Sequence, residues 1–292
     1  MKAIYKRELR SHLTGMTGAI TAAFLLLMTG IYVAVYNLRG GYPTFAVALA
    51  GNFILSANFV YVLVIPVLTM RSVAEERHAK TDQLLYALPL PLWKIVVAKY
   101  LAAVTVLAVP CAVMAFYPLL LGKFGTVNYA SDYGALLAFF LLGAALCAVG
   151  IFVSSLTESQ VIAAVVTLGI FLLLYFMPLF APMIPDSAAA SFVICLLLAV
   201  LLAVIMRIMT KNTAAAVSVG VLVAAAEALV YAAKPDLYRN AVPKALSGIA
   251  LFDRLTPFSS GLFDLTAVVF YLTCAVLFVW LTVQSMEKRR WM

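Results

Sequence analysis

The stretch GALLAFFLLGAALCAVGIFVSSL, Gly134 to Leu156, decides the fold, because it carries no charged side chain over the whole length a helix needs to cross a bilayer. A helical span requires about 20 mainly apolar residues. Working outward between charges gives the other runs: Met16–Tyr36, Phe53–Met70, Leu92–Leu121, Gln160–Phe180, Ala188–Met209, Ala214–Ala233 and Leu265–Gln284. With 65% hydrophobic and 11% charged residues, the chain is no soluble domain. The expected fold is all-α: a polytopic membrane helix bundle of about eight transmembrane helices, forming a single transmembrane domain over residues 1–292.

An even number of crossings puts both termini on one side, and Lys and Arg accumulate in cytoplasmic segments. With the termini inside, the inner segments hold Lys2, Lys6, Arg7, Arg10, Arg71, Arg77, Lys80, Lys94, Lys99, Arg207, Lys211, Lys288, Arg289 and Arg290. The outer segments keep only Arg39, Lys123, Lys234, Arg239, Lys244 and Arg254, largely offset by Asp132, Asp186, Asp236, Asp253 and Asp264. Cytoplasmic termini in a multi-pass plasma-membrane protein are therefore expected. The net charge of +8 is read as topology. No basic patch on a soluble module points to a nucleic-acid partner. The basic start leads into an apolar run too long for a cleavable signal. Cys111, Cys147, Cys195 and Cys274 fall in spans without CxxC spacing, and His12 and His78 are too few for a metal site.

Residues 1–14 are expected to lie on the inner membrane surface as a helix, with Met1, Tyr5, Leu9, Leu13 and Met16 on one face. In the loop 71–91, Ser72 and Glu75 match a capping box. Glu76 stands four residues before Lys80, in ion-pair orientation. Leu84, Leu85 and Leu88 give an apolar edge, and Pro89 with Pro91 closes the segment. Trp93 follows at the interface, where Lys94 and Lys99 are expected to snorkel. A loop that only joins two spans needs none of these features.

Here the residues resemble a family. Met70-Arg-Ser-Val-Ala-Glu-Glu-Arg77, then Thr81, Leu84, Leu85, Pro89, Trp93, Lys94 and Lys99, is similar to the first cytoplasmic loop of type-2 ABC exporter permeases, the gliding-motility type above all. Val149 to Gln160 resembles the turn between the fourth and fifth helices of such permeases. Phe270-Tyr271, Leu281-Thr282-Val283 and Arg289-Arg290-Trp291 resemble the last helix and its basic end. Such relatives usually cross six times, so the segment 188–233 reads as an additional hairpin, followed by an extracytoplasmic loop over 234–264.

The resemblance implies the permease subunit of an ATP-driven exporter, its pathway shared with a second permease copy or a paralogue. Separate ABC ATPase subunits would bind the ATP and Mg, this chain holding no cofactor. It implies an elbow helix over residues 1–14. It also implies coupling to the ATPase through Arg71, Glu75, Glu76, Arg77, Thr81, Leu84 and Leu85, with a second contact at Thr157 and Glu158. The chain has no G-x-x-x-x-G-K-[ST] phosphate loop, so ATP hydrolysis is expected on the partner.

Glu227 is the one acid inside an expected span, seven residues before Lys234 and thus about 10 Å from the boundary. A carboxylate at bilayer centre costs roughly 2.5–3.5 kcal/mol on insertion scales. Glu227 is read either as a polar group of the pathway or subunit contact, or as a carboxyl that reaches the headgroups or is protonated. Ser56, Asn58 and Asn52 add polar groups to the second span, and Pro66, Pro110 and Pro118 interrupt the second and third. These are candidates to line a cavity, or else bends buried in packing. Gly143, Ala144, Gly150 and Ser154 suit close helix packing. An ion-coupled secondary transporter would keep ionisable groups at the midplane and show internal repeats, and an intramembrane enzyme would need a catalytic constellation. One peripheral Glu and no evident repeat argue against the first, and no such constellation is present for the second; the alternative reading is an ion-coupled secondary transporter or a non-transporting membrane scaffold.

Overall fold

The computed structural model describes residues 1–51, 56–81, 91–185, 187–210, 213–233 and 238–290. Among them there is helix and no strand. The chain divides into two units, residues 1–175 with 251–292, and residues 176–250.

In the first unit, α1 (Lys2–Thr14) precedes α2 (Met16–Tyr32), which continues as a π-helical turn over Val33–Arg39. Then come α3 (Ala46–Ala50), α4 (Ala57–Thr69), α5 (Ala74–His78), α6 (Leu92–Met114), α7 (Tyr117–Leu121), α8 (Tyr129–Leu156) and α9 (Gln160–Phe180), whose last turn belongs to the second unit. After the second unit, α13 (Thr256–Ser259) and α14 (Leu265–Arg290) complete the first.

The interior is built on α4 and α8. Their span windows are 72% and 78% buried, against 28%, 22% and 28% for those of α2, α9 and α14. Small residues let these two helices approach their neighbours, as the sequence pattern anticipates. A Cβ on Gly150 would stand 2.2 Å from Thr69 Oγ1 of α4, and one on Gly143 would stand 2.5 Å from Leu107 of α6 and 2.9 Å from the Tyr61 ring. Tyr61 stacks on Phe139 with centroids 4.2 Å apart. Where lipid offers no hydrophobic drive, such close van der Waals packing is what holds helices together.

The end of this unit where α8 begins is tied by polar side chains to backbone. The fully buried Asp132 of α8 accepts a hydrogen bond from the Ala46 amide at the start of α3 (3.2 Å). The Asn37 amide donates to the Tyr42 and Thr44 carbonyls, both at 2.8 Å. Tyr271 donates to the Leu251 carbonyl at 3.0 Å.

By length and composition, six helices among the described residues can cross a membrane: 16–39, 57–78, 92–121, 129–156, 160–180 and 265–289. The other two expected spans correspond to α10 (Ala188–Thr210) and α11 (Thr213–Ala233) of the second unit, helices of 23 and 21 residues. Their stretches Ala188–Leu197 and Val221–Tyr231 are apolar. They form a hairpin, followed by α12 (Ala241–Ile249).

Candidate functional site

At the end of the first unit where α8 finishes, α1, α5, the start of α6 and the ends of α8 and α14 come together around one buried lysine. Lys99, on the third turn of α6, has a side chain only 1% exposed. Its Nζ lies 3.1 Å from Glu8 of α1 and 3.0 Å from Glu76 of α5, and it donates to the Ser72 carbonyl at 2.6 Å. Arg7 closes the ring, donating to Glu8 at 2.8 Å and to Glu76 at 2.7 Å. A buried ammonium is tolerable only with such a set of acceptors. Here two carboxylates and a carbonyl satisfy all three of its protons.

Burial alone would raise the Glu8 carboxyl, but the Lys99 ammonium and the Arg7 guanidinium outweigh it and hold Glu8 below its ordinary value. The Arg7 guanidinium is raised, first by its hydrogen bond to Glu8. His12, one turn further along α1 and 7% exposed, is pushed down by burial and by Lys99, against the pull of Glu8.

Lys99 corrects a sequence expectation. It does not snorkel: it turns inward, because α1 and α5 supply acids within reach. Lys94 places its Nζ 5.5 Å over the Trp93 ring. The face of α1 that meets the bundle is likewise different from the apolar stripe. Ile4, Tyr5, Glu8 and His12 point inward, with Tyr5 hydrogen-bonded to Thr105 at 2.9 Å, whereas Met1, Leu13 and Met16 are exposed. Ile4 joins Leu92, Ile95, Val96, Val283 and Met286 in an apolar cluster beneath the ion ring.

The start of α5 is specified from a distance. No side chain of its own caps it, so the Ser72/Glu75 capping box does not form. Instead Ser154 Oγ of α8 accepts from the Val73 and Ala74 amides at 3.2 and 3.1 Å, while donating to the Met70 carbonyl at 3.1 Å. One hydroxyl thus fixes the turn between α4 and α5. The expected Glu76–Lys80 pair is also absent among the described residues, since Glu76 is engaged by Lys99 and Arg7. Lys80 adopts a left-handed conformation (φ 54°) that ends the helix. Thr81 bonds back to the Glu76 carbonyl through both its amide (2.9 Å) and its hydroxyl (3.2 Å).

Of the expected coupling residues, Arg71, Glu75 and Thr81 are exposed and Arg77 is buried. Leu84 and Leu85 lie outside the described residues. Thr157 and the exposed Glu158 follow Ser154 by one turn, and Arg289 of α14 reaches them, donating to the Leu156 carbonyl at 3.0 Å with Glu158 at 3.5 Å. A cation on the last carbonyls of a helix complements their partial charge. Ser56 and Asn58 hydrogen-bond each other inside the bundle, and Pro66 is buried within α4. Glu227 stands on α11, in the second unit.

Sequence reasoning assigned no role to Glu8, read Arg7 only as part of the basic inner flank, and read Ser154 only as packing. The available signal was composition: Glu8 is the sole acid among the first 70 residues.

An all-helical, multi-pass membrane protein whose short inter-span helix is clamped to its membrane helices by ion pairs has the construction of a transporter's membrane subunit. The chain belongs to the ABC-2 family transporter proteins, whose family profile matches residues 3–289. It is a transmembrane ABC transporter permease. No curated protein and no solved structure matches it.

Proposed function

We propose that this permease is the pathway-forming subunit of an ATP-driven exporter in the plasma membrane, working as a pair with a second permease and driven by separate ABC ATPase subunits that bind ATP and Mg. Both termini face the cytoplasm, where α1 acts as an elbow helix, α5 and the segment after it as the docking surface for the ATPase, and Thr157–Glu158 as a smaller contact. The observation that carries this reading is the clamp on α5. Lys99 and Arg7 hold Glu76 while both also pair with Glu8, and Ser154 holds the helix start, so a displacement of α5 passes directly to α1, α6 and α8. Arg71 and Glu75 remain exposed beside the clamp and offer charge to a docking partner.

A photo-crosslinking residue placed at Glu75 or Glu158 in cells is expected to capture a polypeptide bearing a G-x-x-x-x-G-K-[ST] loop. Glu75→Lys is expected to reduce its co-purification and the permease-dependent ATP hydrolysis. Capture of no phosphate-loop protein at either position, with hydrolysis unaffected by Glu75→Lys, would overturn the coupling role.

A further inference from the structure

The second unit contains a carboxylate with one buried oxygen that no described residue serves. Glu227 and Tyr231 are one turn apart on α11 and share a face. Phe192 of α10 stacks on Tyr231 with centroids 4.6 Å apart. Tyr238, from the turn after α11, packs edge-on against both rings at 5.8 and 5.7 Å. The Tyr238 hydroxyl donates to the Glu227 backbone carbonyl at 3.2 Å, which draws the aromatic group around this turn but uses its proton on the main chain. Glu227 Oε2 is shielded from solvent and has no hydrogen-bond donor among the described residues. The site lies six residues before the end of α11 at Ala233, roughly 9 Å along the axis, which in a helix crossing the bilayer would be a depth close to the lipid headgroups.

The group that answers this arrangement must supply N–H donors and positive charge, and must be content against aromatic faces. An ammonium does all three. A quaternary ammonium would satisfy the rings but leave the oxygen without a donor, which is costly in an apolar setting. We propose that Glu227, Tyr231, Tyr238 and Phe192 form a binding site for a protonated primary amine, supplied either by an ethanolamine lipid headgroup or by a free alkylamine. The site is independent of ATPase coupling, and its test involves no transport measurement.

The full-length protein is placed in nanodiscs of phosphatidylcholine and phosphatidylglycerol, whose headgroups offer no ammonium N–H. Two probes are added separately: phosphatidylethanolamine, read by native mass spectrometry of retained lipid, and ethylamine, read by equilibrium binding. Wild type is expected to retain phosphatidylethanolamine at least tenfold over phosphatidylcholine, or to bind ethylamine saturably. The first outcome identifies the lipid as the source and the second the free amine. Glu227→Gln is expected to abolish the preference, Tyr231→Phe to keep it, and Tyr231→Leu to weaken it several-fold. Retention of neither probe by wild type, or equal retention by wild type and Glu227→Gln, overturns the proposal.

Discussion

Lys99 and Glu227 are both ionisable groups inside apolar helices, and the two regions that hold them solve the same problem in opposite ways. Around Lys99, two helices contribute an acid each and the turn before α5 a carbonyl, until every ammonium proton is used. Around Glu227, one carboxylate oxygen is shielded from solvent with no donor among the described residues, while the Tyr238 hydroxyl bonds the main chain. A charge that is fully paired within the chain serves the architecture. A sheltered carboxyl oxygen with no donor among the described residues is where the proposed ligand would bind.

The contrast breaks most sharply at Lys99. Lys99→Met leaves Glu8 and Glu76 with only the more exposed Arg7 to bridge them, and loss of one partner from a buried ion pair typically costs about 3–5 kcal/mol. The expected readout is a large fall in thermal midpoint in nanodiscs, with partial recovery when Glu8→Gln and Glu76→Gln are added. Recovery would show that the penalty lies in the stranded acids, whereas a loss unchanged by those substitutions would place it in packing.

Next in size is the close approach of α4 and α8. Gly150→Val drives a side chain into Thr69 and should cost about 1–3 kcal/mol by overpacking. Gly169→Ala on α9, where nothing stands within 4 Å of an added Cβ, should be neutral or stabilising by up to about 1 kcal/mol. Ser154→Ala removes the distant cap of α5. A loss of about 1 kcal/mol is expected, visible as faster amide exchange at Val73 and Ala74 with the rest of α8 unchanged.

Acid should loosen α1 in two stages. His12 is held below its ordinary value of 6.5, so the undocked helix takes up its proton first, and docking weakens as pH falls from about that point. Glu8 is held below its ordinary value of 4.5, so its contribution is complete above that pH and is lost as pH falls through the lower folded value. Amide exchange over α1, corrected for intrinsic rates, should show both stages. His12→Gln should remove the upper and Glu8→Gln the lower. The smallest effect is expected at the other pole of the comparison: with no amine present, Glu227→Gln should alter stability by less than about 0.5 kcal/mol, against the large loss at Lys99.

The sequence by itself determined the helical membrane class, the boundaries of most spans and the polar segment between the second and third. These follow from local properties: runs without charge long enough to cross hydrocarbon, and punctuation by Lys, Arg and Pro. It also marked Gly143 and Gly150 as contact points, since only small residues allow such an approach. The tertiary structure alone decided the use of the charges. Ser72 and Glu75 spell a local cap, yet Ser154, distant in sequence, provides it, because α8 delivers a hydroxyl to the same amides. Lys99 reads as a snorkelling residue until α1 and α5 bring Glu8 and Glu76 to it. A side chain near a helix end has its choice between headgroup and protein set by which partner is nearer, and that distance is a property of the packed bundle, not of the residues flanking it.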